Sequence, residues 1–168
     1  MTSNVIIKIN NVNRVRGAAT GAQLKAAVLA GGNVIRNYAK INVEKTFSGK
    51  STGAAGLGES IQVVLSKSTE TMAEVDVGPT VVYGRIRELG GIIAPVKAKM
   101  LSWLLGSGGG GERKQKAQGL VFVSEGRVFA EAVQVFPTPY LRPAVDEHKN
   151  EIGDAISYQL RKQIEAAI

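Results

Sequence analysis

The sequence contains no cysteine, a single histidine and few aromatic residues, and each shortage limits what the protein can do. Without cysteine the chain can form no disulfide, no thiolate metal site and no cysteine nucleophile, which suits a reducing cytoplasm. Aromatic residues make up only 5% of the 168 residues, so the core must rest on Val, Ile, Leu and Ala. Apolar residues reach 44%, which is enough for burial to offset the ordering entropy of one domain.

Long apolar runs and targeting signals are also missing. The most apolar short run, residues 101–105, is far below the roughly 18 residues that a membrane-spanning helix needs. Residues 1–8 lack the charged region followed by a longer apolar region that marks a signal peptide. We therefore expect no association with a membrane.

The charge is strongly one-sided, with a net value of +7 and an isoelectric point of about 9.8. A basic surface favours an acidic partner, such as nucleic acid or an acidic protein face, whereas scattered charge also suits a basic domain without such a partner. The candidates for contact with DNA phosphates or an acidic partner are Arg14, Arg16, Arg113, Lys114 and Lys116. No recognised nucleic-acid motif accompanies them, so we expect no sequence-specific binding.

The order of sequence patterns predicts one α+β domain over 1–168, in which a small, mostly antiparallel sheet packs against a long N-terminal helix and a long C-terminal helix. A β-branched run predicts a strand over 5–9, and apolar residues three and four apart predict a helix over 23–45. Within this helix, Gly31-Gly32 allows either close packing or a kink. Shorter patterns predict a hairpin of strands 61–67 and 74–77, followed by a short helix over 81–89. They also predict a buried strand over 100–105 and a second hairpin of strands 120–123 and 128–135.

Two further segments complete the predicted domain. Residues 106–118 combine five glycines with a charged tract and predict a flexible basic loop inside the domain. Pro143 stands where proline is favoured, at the first position of a helix. From there an apolar stripe with spacings of seven and four predicts one long helix to 168, packed on the sheet, on the first helix or on a neighbouring subunit.

No segment has the set of residues that a catalytic or cofactor site requires. Gly49-Lys-Ser-Thr52 lacks the second glycine of a phosphate-binding loop, because Glu44 occupies that position. The glycine run 106–111 leads into a basic tract instead of a helix, which favours a flexible loop over a nucleotide site. His148 has no companion ligands, and the carboxylates beside it suit the first two turns of a helix. We therefore expect no enzymatic activity, no metal and no cofactor.

Four short patches in a fixed order carry the most specific signal. They are Asn37-Tyr-Ala-Lys40, the Thr-Gly, Leu and Glu-Ser-Ile residues within 52–61, Tyr83 with Glu88-Leu-Gly-Gly91 and its continuation to Leu101, and Pro137-Thr-Pro-Tyr-Leu-Arg-Pro-Ala144. Together these patches resemble the tail-completion or head–tail joining (neck) proteins of tailed phages and prophages.

The resemblance is specific in parts and departs from the family in others. The third patch resembles Tyr-Ala-x-x-x-Glu-Phe-Gly, with Gly84 in place of the usual alanine and Leu89 in place of the aromatic residue. The fourth is similar to Pro-Ala-Arg-Pro-Phe-Leu-Arg-Pro-Ala, with Thr138 in place of an arginine. The glycine-rich insertion is a further departure. The matched positions Tyr83, Glu88, Gly90 and Gly91 become structural or interface candidates.

The resemblance implies a structural virion protein of the neck or tail, present in the host cytoplasm during assembly. It implies a closed ring of six copies, with twelve as the alternative, between head-completion or connector proteins and tail-terminator or tail-tube proteins. The positive charge then lines a channel for packaged DNA or faces an acidic connector protein. The rival interpretation is a basic accessory protein that binds nucleic acid without reading its sequence.

The fourth patch predicts a rigid corner between the last strand and the last helix, because Pro139 and Pro143 fix backbone angles. Tyr140 and Leu141 are expected to fill the junction between sheet and helix. Arg142 carries a planar cation that suits either an internal carboxylate, for which Glu88 is the candidate, or a contact with a neighbouring subunit.

Overall fold

The computed structural model describes residues 5–9, 21–47, 56–96, 98–104, 115–124 and 127–166, and it confirms the α+β class. Within these residues the elements are, in chain order, β1 Val5–Ile9, α1 Gly21–Phe47, α2 Leu57–Ser60, β2 Ile61–Ser68, β3 Ala73–Pro79, α3 Val82–Leu89, β4 Gly91–Ile93, β5 Leu101–Leu104, β6 Gln115–Ser124, β7 Arg127–Val135, α4 Leu141–Asp146 and α5 Lys149–Glu165. The segment 49–52, which was compared with a phosphate-binding loop, lies outside the described residues.

The first sheet has the strand order β1-β3-β2, and each pair is antiparallel. β2 and β3 form the predicted hairpin, with Val63 opposite Val77. Along β3 the side chains alternate between buried and half-buried, so that Ala73, Val75 and Val77 lie on one face. This face packs against α1 and forms the first layer of the core.

In the second sheet β7 is the central strand, and the predicted hairpin of β6 and β7 is confirmed. β4 and β5 pair with opposite ends of β7, with Gly91 opposite Val135 and Leu101 opposite Ala130. Because β6 pairs with these same residues of β7, β4 and β5 both lie on the other edge. The strand predicted over 100–105 is therefore β5, and Leu101 in it is half-buried.

The prediction of a basic loop over 106–118 is wrong at its C-terminal end. β6 begins at Gln115, so residues 115–118 are strand and not loop, with Gln115 opposite Val135. The polar sequence gave no sign of this strand, because its hydrogen-bond partners are supplied by the more distant β7. Residues 106–114 lie outside the part of the chain that the structure describes.

The glycine pair of α1 separates two layers of the fold. A Cβ added to Gly31 would lie 2.8 Å from Ile156 Cγ1 in α5, and one added to Gly32 would lie 2.7 Å from Val63 Cγ1 in β2. Both distances are far below van der Waals contact, so the glycines let α5 and the first sheet approach α1 from different sides. α1 is one helix from Gly21 to Phe47, so the pair provides close packing and not an interruption.

The C-terminal helix is divided, which corrects the prediction of one helix from Pro143 onward. α4 starts at Leu141, so Pro143 is its third residue instead of its first. The position is tolerated because the N–H groups of a first helical turn have no partner inside the helix. His148, with φ −117° and ψ 24°, leaves helical geometry between α4 and α5.

The apolar seam of α5 faces α1, which is one of the three neighbours that the sequence allowed. Ile152 and Ile156 pack into a core cluster that contains Ile35 of α1. Leu160 packs against a second cluster that contains Leu24, near the start of α1. The contacts with these two clusters together hold α5 along α1.

Candidate functional site

Glu88 is a buried carboxylate at the corner where α3 meets the start of α4. It lies near the end of α3, and it accepts hydrogen bonds from the backbone N–H groups at the start of α4. Glu88 Oε2 accepts from Tyr140 N at 2.7 Å and Leu141 N at 3.0 Å, and Oε1 accepts from Arg142 N at 3.0 Å. These N–H groups have no partner inside α4, and a negative charge is favourable at that end of a helix. Glu88 therefore caps α4 from a helix more than fifty residues earlier in the chain.

Tyr140, which precedes α4, connects the same corner to α3 and to α1. Its side chain is fully buried, and its hydroxyl donates to the carbonyl of Gly84 in α3 at 3.2 Å. Its own carbonyl accepts a hydrogen bond from Asn42 Nδ2 of α1 at 3.1 Å. Burial, and then the charge of Glu88 and the neighbouring Tyr83, raise the pKa of Tyr140 far above its ordinary value. The phenol therefore stays protonated and acts as a hydrogen-bond donor. We call Gly84, Glu88 and residues 140–142 the Glu88 corner.

Arg142 does not form the internal clamp that the sequence suggested. Its side chain is exposed, and no ion pair between Arg142 and Glu88 occurs among the described residues. Glu88 instead accepts the backbone N–H of Arg142. The carboxylate is already filled by three N–H donors, so a cation is not needed to satisfy it. The guanidinium therefore remains available on the surface for the intersubunit contact that was the other expectation.

The glycines and prolines of the third and fourth patches join α3 to the second sheet. Gly90 has φ +72°, and a Cβ there would lie 2.9 Å from Pro137 Cδ, so only glycine fits. Thr138 N donates to the carbonyl of Arg87 at 2.7 Å, which ties the proline-rich segment to the end of α3. Pro139 is exposed and precedes the buried Tyr140. The stretch thus lies between β7 and α4, at the place where the sequence predicted a corner.

The remaining corner candidates have structural positions. Leu141 is buried in the main core cluster, and Tyr83 is half-buried and packs against that cluster. Gly91 begins β4 with φ +152°. The two patches that carry most of the resemblance therefore meet in space. The sequence did not predict the role of Asn42, because nothing in the local pattern marks an asparagine on α1 as the hydrogen-bond donor to the carbonyl of Tyr140, 98 residues away.

A second polar cluster bridges α1 and the break before α5. The rings of Tyr38 and His148 stack with centroids 3.3 Å apart and an interplanar angle of 9°. Glu151 accepts a hydrogen bond from the Tyr38 hydroxyl through Oε2, and its Oε1 lies 2.9 Å from His148 Nδ1. The hydrogen bond from Tyr38, and then the one from His148, lower the pKa of Glu151. The bond between Tyr38 and Glu151 also raises the pKa of Tyr38. A raised pKa keeps the Tyr38 phenol protonated, which works against a role as a nucleophile. The cluster instead fits a structural contact that ties α1 to the start of α5.

Large apolar side chains are exposed around α3 and β4, beside the Glu88 corner. Val82 and Val96 are each 96% exposed, and Leu89 shares the helical face of Val82 because it lies seven residues later. Phe136 follows the residue that pairs with Gly91, so it lies next to the start of β4. We call this set the apolar strip: Val82, Leu89, Ile92, Ile93, Val96 and Phe136. Because Ile92 and Ile93 are neighbours in β4, their side chains lie on opposite faces of the sheet, so the strip is defined by exposure and not by one shared face. The set is a candidate interaction surface.

The candidate DNA contacts contribute little to the described geometry. Arg14, Arg16, Arg113 and Lys114 lie outside the described residues. Lys116 lies in β6, opposite Gln134 of β7.

No protein-family profile, curated protein or solved structure matches the chain. In the described part of the chain, no helix is both long and apolar enough to cross a membrane. Among those same residues, no three His, Cys, Asp or Glu side chains gather in a way that would hold a metal ion.

Proposed function

We propose that this chain is a structural virion protein of the phage neck or tail, which assembles as a ring between the head connector and the tail. The proposal is non-enzymatic: the chain acts by holding its partners in register. The observation that carries it is the Glu88 corner. Two patches that resemble the neck proteins, 83–91 and 137–144, are distant in sequence and meet there through three hydrogen bonds to one carboxylate.

The roles inside the corner agree with a scaffold. Three of the roughly four lone-pair positions of the buried Glu88 carboxylate accept backbone N–H groups, which leaves it poorly placed to take a proton from a substrate. It does fix α4, and with it the apolar strip and the exposed Arg142, in one orientation. A ring needs such rigid contact surfaces, because small errors in the angle between subunits accumulate around the axis.

In the proposed ring the chain contacts itself, in six or twelve copies, with connector proteins on one side and tail-terminator or tail-tube proteins on the other. A net charge of +7 suits loose contact with DNA phosphates in the channel or with an acidic connector. These contacts do not require the reading of bases.

Deleting the coding sequence from the phage or prophage that carries it tests the proposal. We expect filled heads and tails that fail to join, visible by electron microscopy, and joined particles again when the wild-type chain is supplied. Glu88→Gln should restore joining poorly, whereas Glu59→Gln, which changes an exposed acid on α2, should restore it fully. Normal particles in the absence of the chain, or purified virions that lack it, would refute the proposal.

The second candidate is an accessory protein that binds nucleic acid without sequence preference, and the net charge of +7 favours it. Its signature is DNA binding by the purified, particle-free chain with a steep dependence on salt. Filter binding across a salt series, together with a search for the chain in purified virions, separates the two candidates. Salt-sensitive binding by a chain that is absent from virions would favour the accessory role.

A further inference from the structure

We infer that the open edge of β2 binds an extended segment of another protein, which adds a strand to the first sheet and presents a carboxylate on the side of α1. The segment pairs with residues 61–65. This contact involves none of the residues of the apolar strip. It also does not depend on the proposed function, because it follows from the backbone groups and the charges along one sheet edge.

β2 is an edge strand, because the strand order is β1-β3-β2 and β2 pairs only with β3 among the described residues. Opposite residues of an antiparallel pair alternate between two that exchange hydrogen bonds and two that do not. Ser60 and Thr80 continue the register of the two strands, and Ser60 O accepts the N–H of Thr80 at 3.0 Å. The even-numbered residues of β2 before the bulge therefore bond to β3. The odd-numbered residues within 61–65 direct their N–H and C=O groups toward the open edge.

The position of Pro79 agrees with this alternation. It lies opposite Ile61, in a pair that exchanges no hydrogen bonds, where a residue without an N–H is tolerated. The N–H of Ile61 donates to the carbonyl of Gly58. The C=O of Ile61, both backbone groups of Val63 and the N–H of Leu65 have no partner within the described residues. Two donors and two acceptors thus line the edge.

The part of the edge that can accept a strand is five residues long. A β-bulge between Leu65 and Lys67 shifts the register there. Bulges and lysines are the usual means by which natural sheets block pairing at an edge. Residues 61–65 contain neither, and they span about 17 Å at the rise of an antiparallel strand.

Arg36 of α1 lies over the start of this edge. A Cβ on Gly32, one turn earlier, would lie 2.7 Å from Val63 Cγ1, and a Cβ on Gly58 would lie 4.0 Å from Cγ of Lys40, one turn later. Nε of Arg36 is buried and has no hydrogen-bond partner within the described residues. Because a buried donor without an acceptor is costly, this guanidinium favours an incoming carboxylate.

The charges near α1 place the carboxylate of the partner beside Arg36. Neither Arg36 nor Lys40 forms an ion pair in the described part of the chain. The nearest acids of α1 and α2 are Glu44, one turn after Lys40, and Glu59, next to the glycine that Lys40 contacts. Both lie at the Lys40 end of the row, so Arg36 is left without a carboxylate.

The opposite face of the edge favours an apolar residue. Val64 points away from α1 and is 54% exposed. Its neighbour across the strand pair is Asp76, whose carboxylate would repel a second acid. The partner segment therefore alternates, with a carboxylate toward Arg36 and an apolar side chain beside Val64.

The edge strands of this chain cannot supply such a segment. β1, β2, β4, β5 and β6 each have one edge without a partner strand among the described residues, and none of the five contains Asp or Glu. Two paired β2 edges would also bring Arg36 of both copies to the interface without a carboxylate. An acidic strand from another protein is therefore the better match.

Amide hydrogen exchange followed by NMR tests whether the edge is open. In the free chain, the amides of Val63 and Leu65 should exchange fast, whereas those of Gln62 and Val64 should be protected by their bonds to β3. A bound strand should slow the exchange of the first two amides and leave the other two nearly unchanged.

The probe is the peptide acetyl-Thr-Val-Glu-Val-Thr-amide, in which the glutamate lies on one face of an extended strand and both valines lie on the other. The matched peptide has lysine in place of the glutamate. In titrations of the full chain followed by NMR, the glutamate peptide should bind at least about fivefold more tightly than the lysine peptide.

Reversal of the charge on α1 identifies the contact. Arg36→Glu should make the lysine peptide the tighter ligand, and Arg36→Gln should abolish the preference. Arg161→Glu is the matched control for Arg36→Glu, because it changes the net charge equally at an exposed position of α5, and it should keep the wild-type preference. Circular dichroism melting shows whether each variant is folded. Arg36→Gln carries the test if Arg36→Glu does not fold.

Three results would overturn the inference. Protection of Val63 and Leu65 in the free chain would mean that the edge is already covered, and protection that rises with protein concentration would identify a second copy as the cover. Equal affinity for the two peptides would remove the charge preference. A preference that Arg161→Glu abolishes as fully as Arg36→Gln would assign it to net charge. Failure of the neck role is separate, because virions that lack the chain leave these peptide measurements unchanged.

Discussion

Glu88 shows how a side chain distant in sequence can replace the local residue that usually caps the start of a helix. Helices usually begin with Ser, Thr, Asp or Asn, whose side chain satisfies the first N–H groups. α4 begins after Tyr140, which makes no side-chain cap, and the carboxylate of Glu88 takes over that role through three hydrogen bonds. The buried position makes each bond stronger than on the surface, and it makes the loss of any of them more costly.

We expect Glu88→Gln to lower the free energy of unfolding by about 2–3 kcal/mol, because a neutral amide offers one acceptor oxygen and places an NH₂ group against N–H donors. Urea denaturation measures the change. Glu59→Gln, at an exposed position, should stay within about 0.5 kcal/mol of wild type. Equal effects of the two substitutions would show that the carboxylate cap does not stabilise the corner.

Gly84 allows a second prediction, because the neck proteins that the sequence resembles usually have alanine at this position. A Cβ at this position would lie 2.7 Å from Pro79 Cβ and 3.1 Å from the Tyr140 hydroxyl oxygen. Gly84→Ala should therefore destabilise the protein by about 1–3 kcal/mol through overpacking, measured by thermal denaturation. If Pro79 is the obstacle, adding Pro79→Gly should make the combined loss smaller than the sum of the two single losses. An alanine variant as stable as wild type would contradict the close approach.

At the scale of elements, α1 is the support on which the other layers pack. Its glycine pair brings α5 and β2 close, and its Tyr38 meets the break between α4 and α5. At the break His148 leaves helical geometry, and its ring stacks on Tyr38. Neither proline nor glycine occurs between Val145 and Lys149, so no helix-breaking residue marks the division in the sequence.

The glycine of α1 that faces α5 can be compared with a glycine on α5 itself. Gly31→Ala should destabilise the protein by about 1–3 kcal/mol, because its Cβ would press on the Ile156 side chain. Gly153→Ala is the matched control, since nothing lies within 4 Å of its added Cβ. That substitution should stabilise α5 by about 0.5–1 kcal/mol through helix propensity. Changes of the same sign at both positions would argue against the α1–α5 approach.

The tie between α1 and α5 predicts a dependence of stability on acid. The pKa of Glu151 is lower in the folded chain than in the unfolded chain, so its carboxylate stabilises the fold above the unfolded pKa. That contribution is lost as the pH falls through the folded pKa. Between about pH 5 and pH 3, wild type should lose more unfolding free energy than Tyr38→Phe, which lacks the main hydrogen bond. Tyr158→Phe, at an exposed tyrosine, should follow wild type, and parallel curves for all three would rule out the tie.

At the scale of the whole molecule, the proposed assembly role depends on the Glu88 corner and on the apolar strip. The corner joins α3 to α4 through the hydrogen bonds of Glu88, while the side chains of the strip remain exposed. The proposed ring would use the strip as a contact surface.

Self-association should appear in the melting temperature, because assembly that involves only the folded chain stabilises it by mass action. We expect the melting temperature of wild type to rise by about 3 °C for a tenfold increase in protein concentration. Val82→Asp should remove most of this dependence, because it places a charge in the apolar strip. Val64→Asp should keep it, since Val64 is exposed elsewhere. Melting that is independent of concentration in wild type would contradict association through the strip.

Much of the fold could be predicted from local pattern. The helix over 23–45 and the hairpin of 61–67 and 74–77 were found within two residues at each end, since their periodicity reflects which face is buried. The start of β6 at Gln115 was missed because pairing with β7 overrides a polar sequence. The candidate residues of the corner were identified by resemblance, and of the two contacts expected for Arg142 the ion pair with Glu88 does not form, while the contact with a neighbouring subunit stays a prediction.

The sequence by itself determined the composition of the core, the absence of cysteine chemistry, the basic charge and the order of most elements. These properties depend on residue type and on spacing along the chain. Only the tertiary structure decided that Glu88 binds backbone N–H groups and not the guanidinium of Arg142, that α1 is the neighbour of α5, and that the last helix is divided. Each of these depends on which groups meet across long separations, and a periodic pattern states which face is buried without stating what covers it.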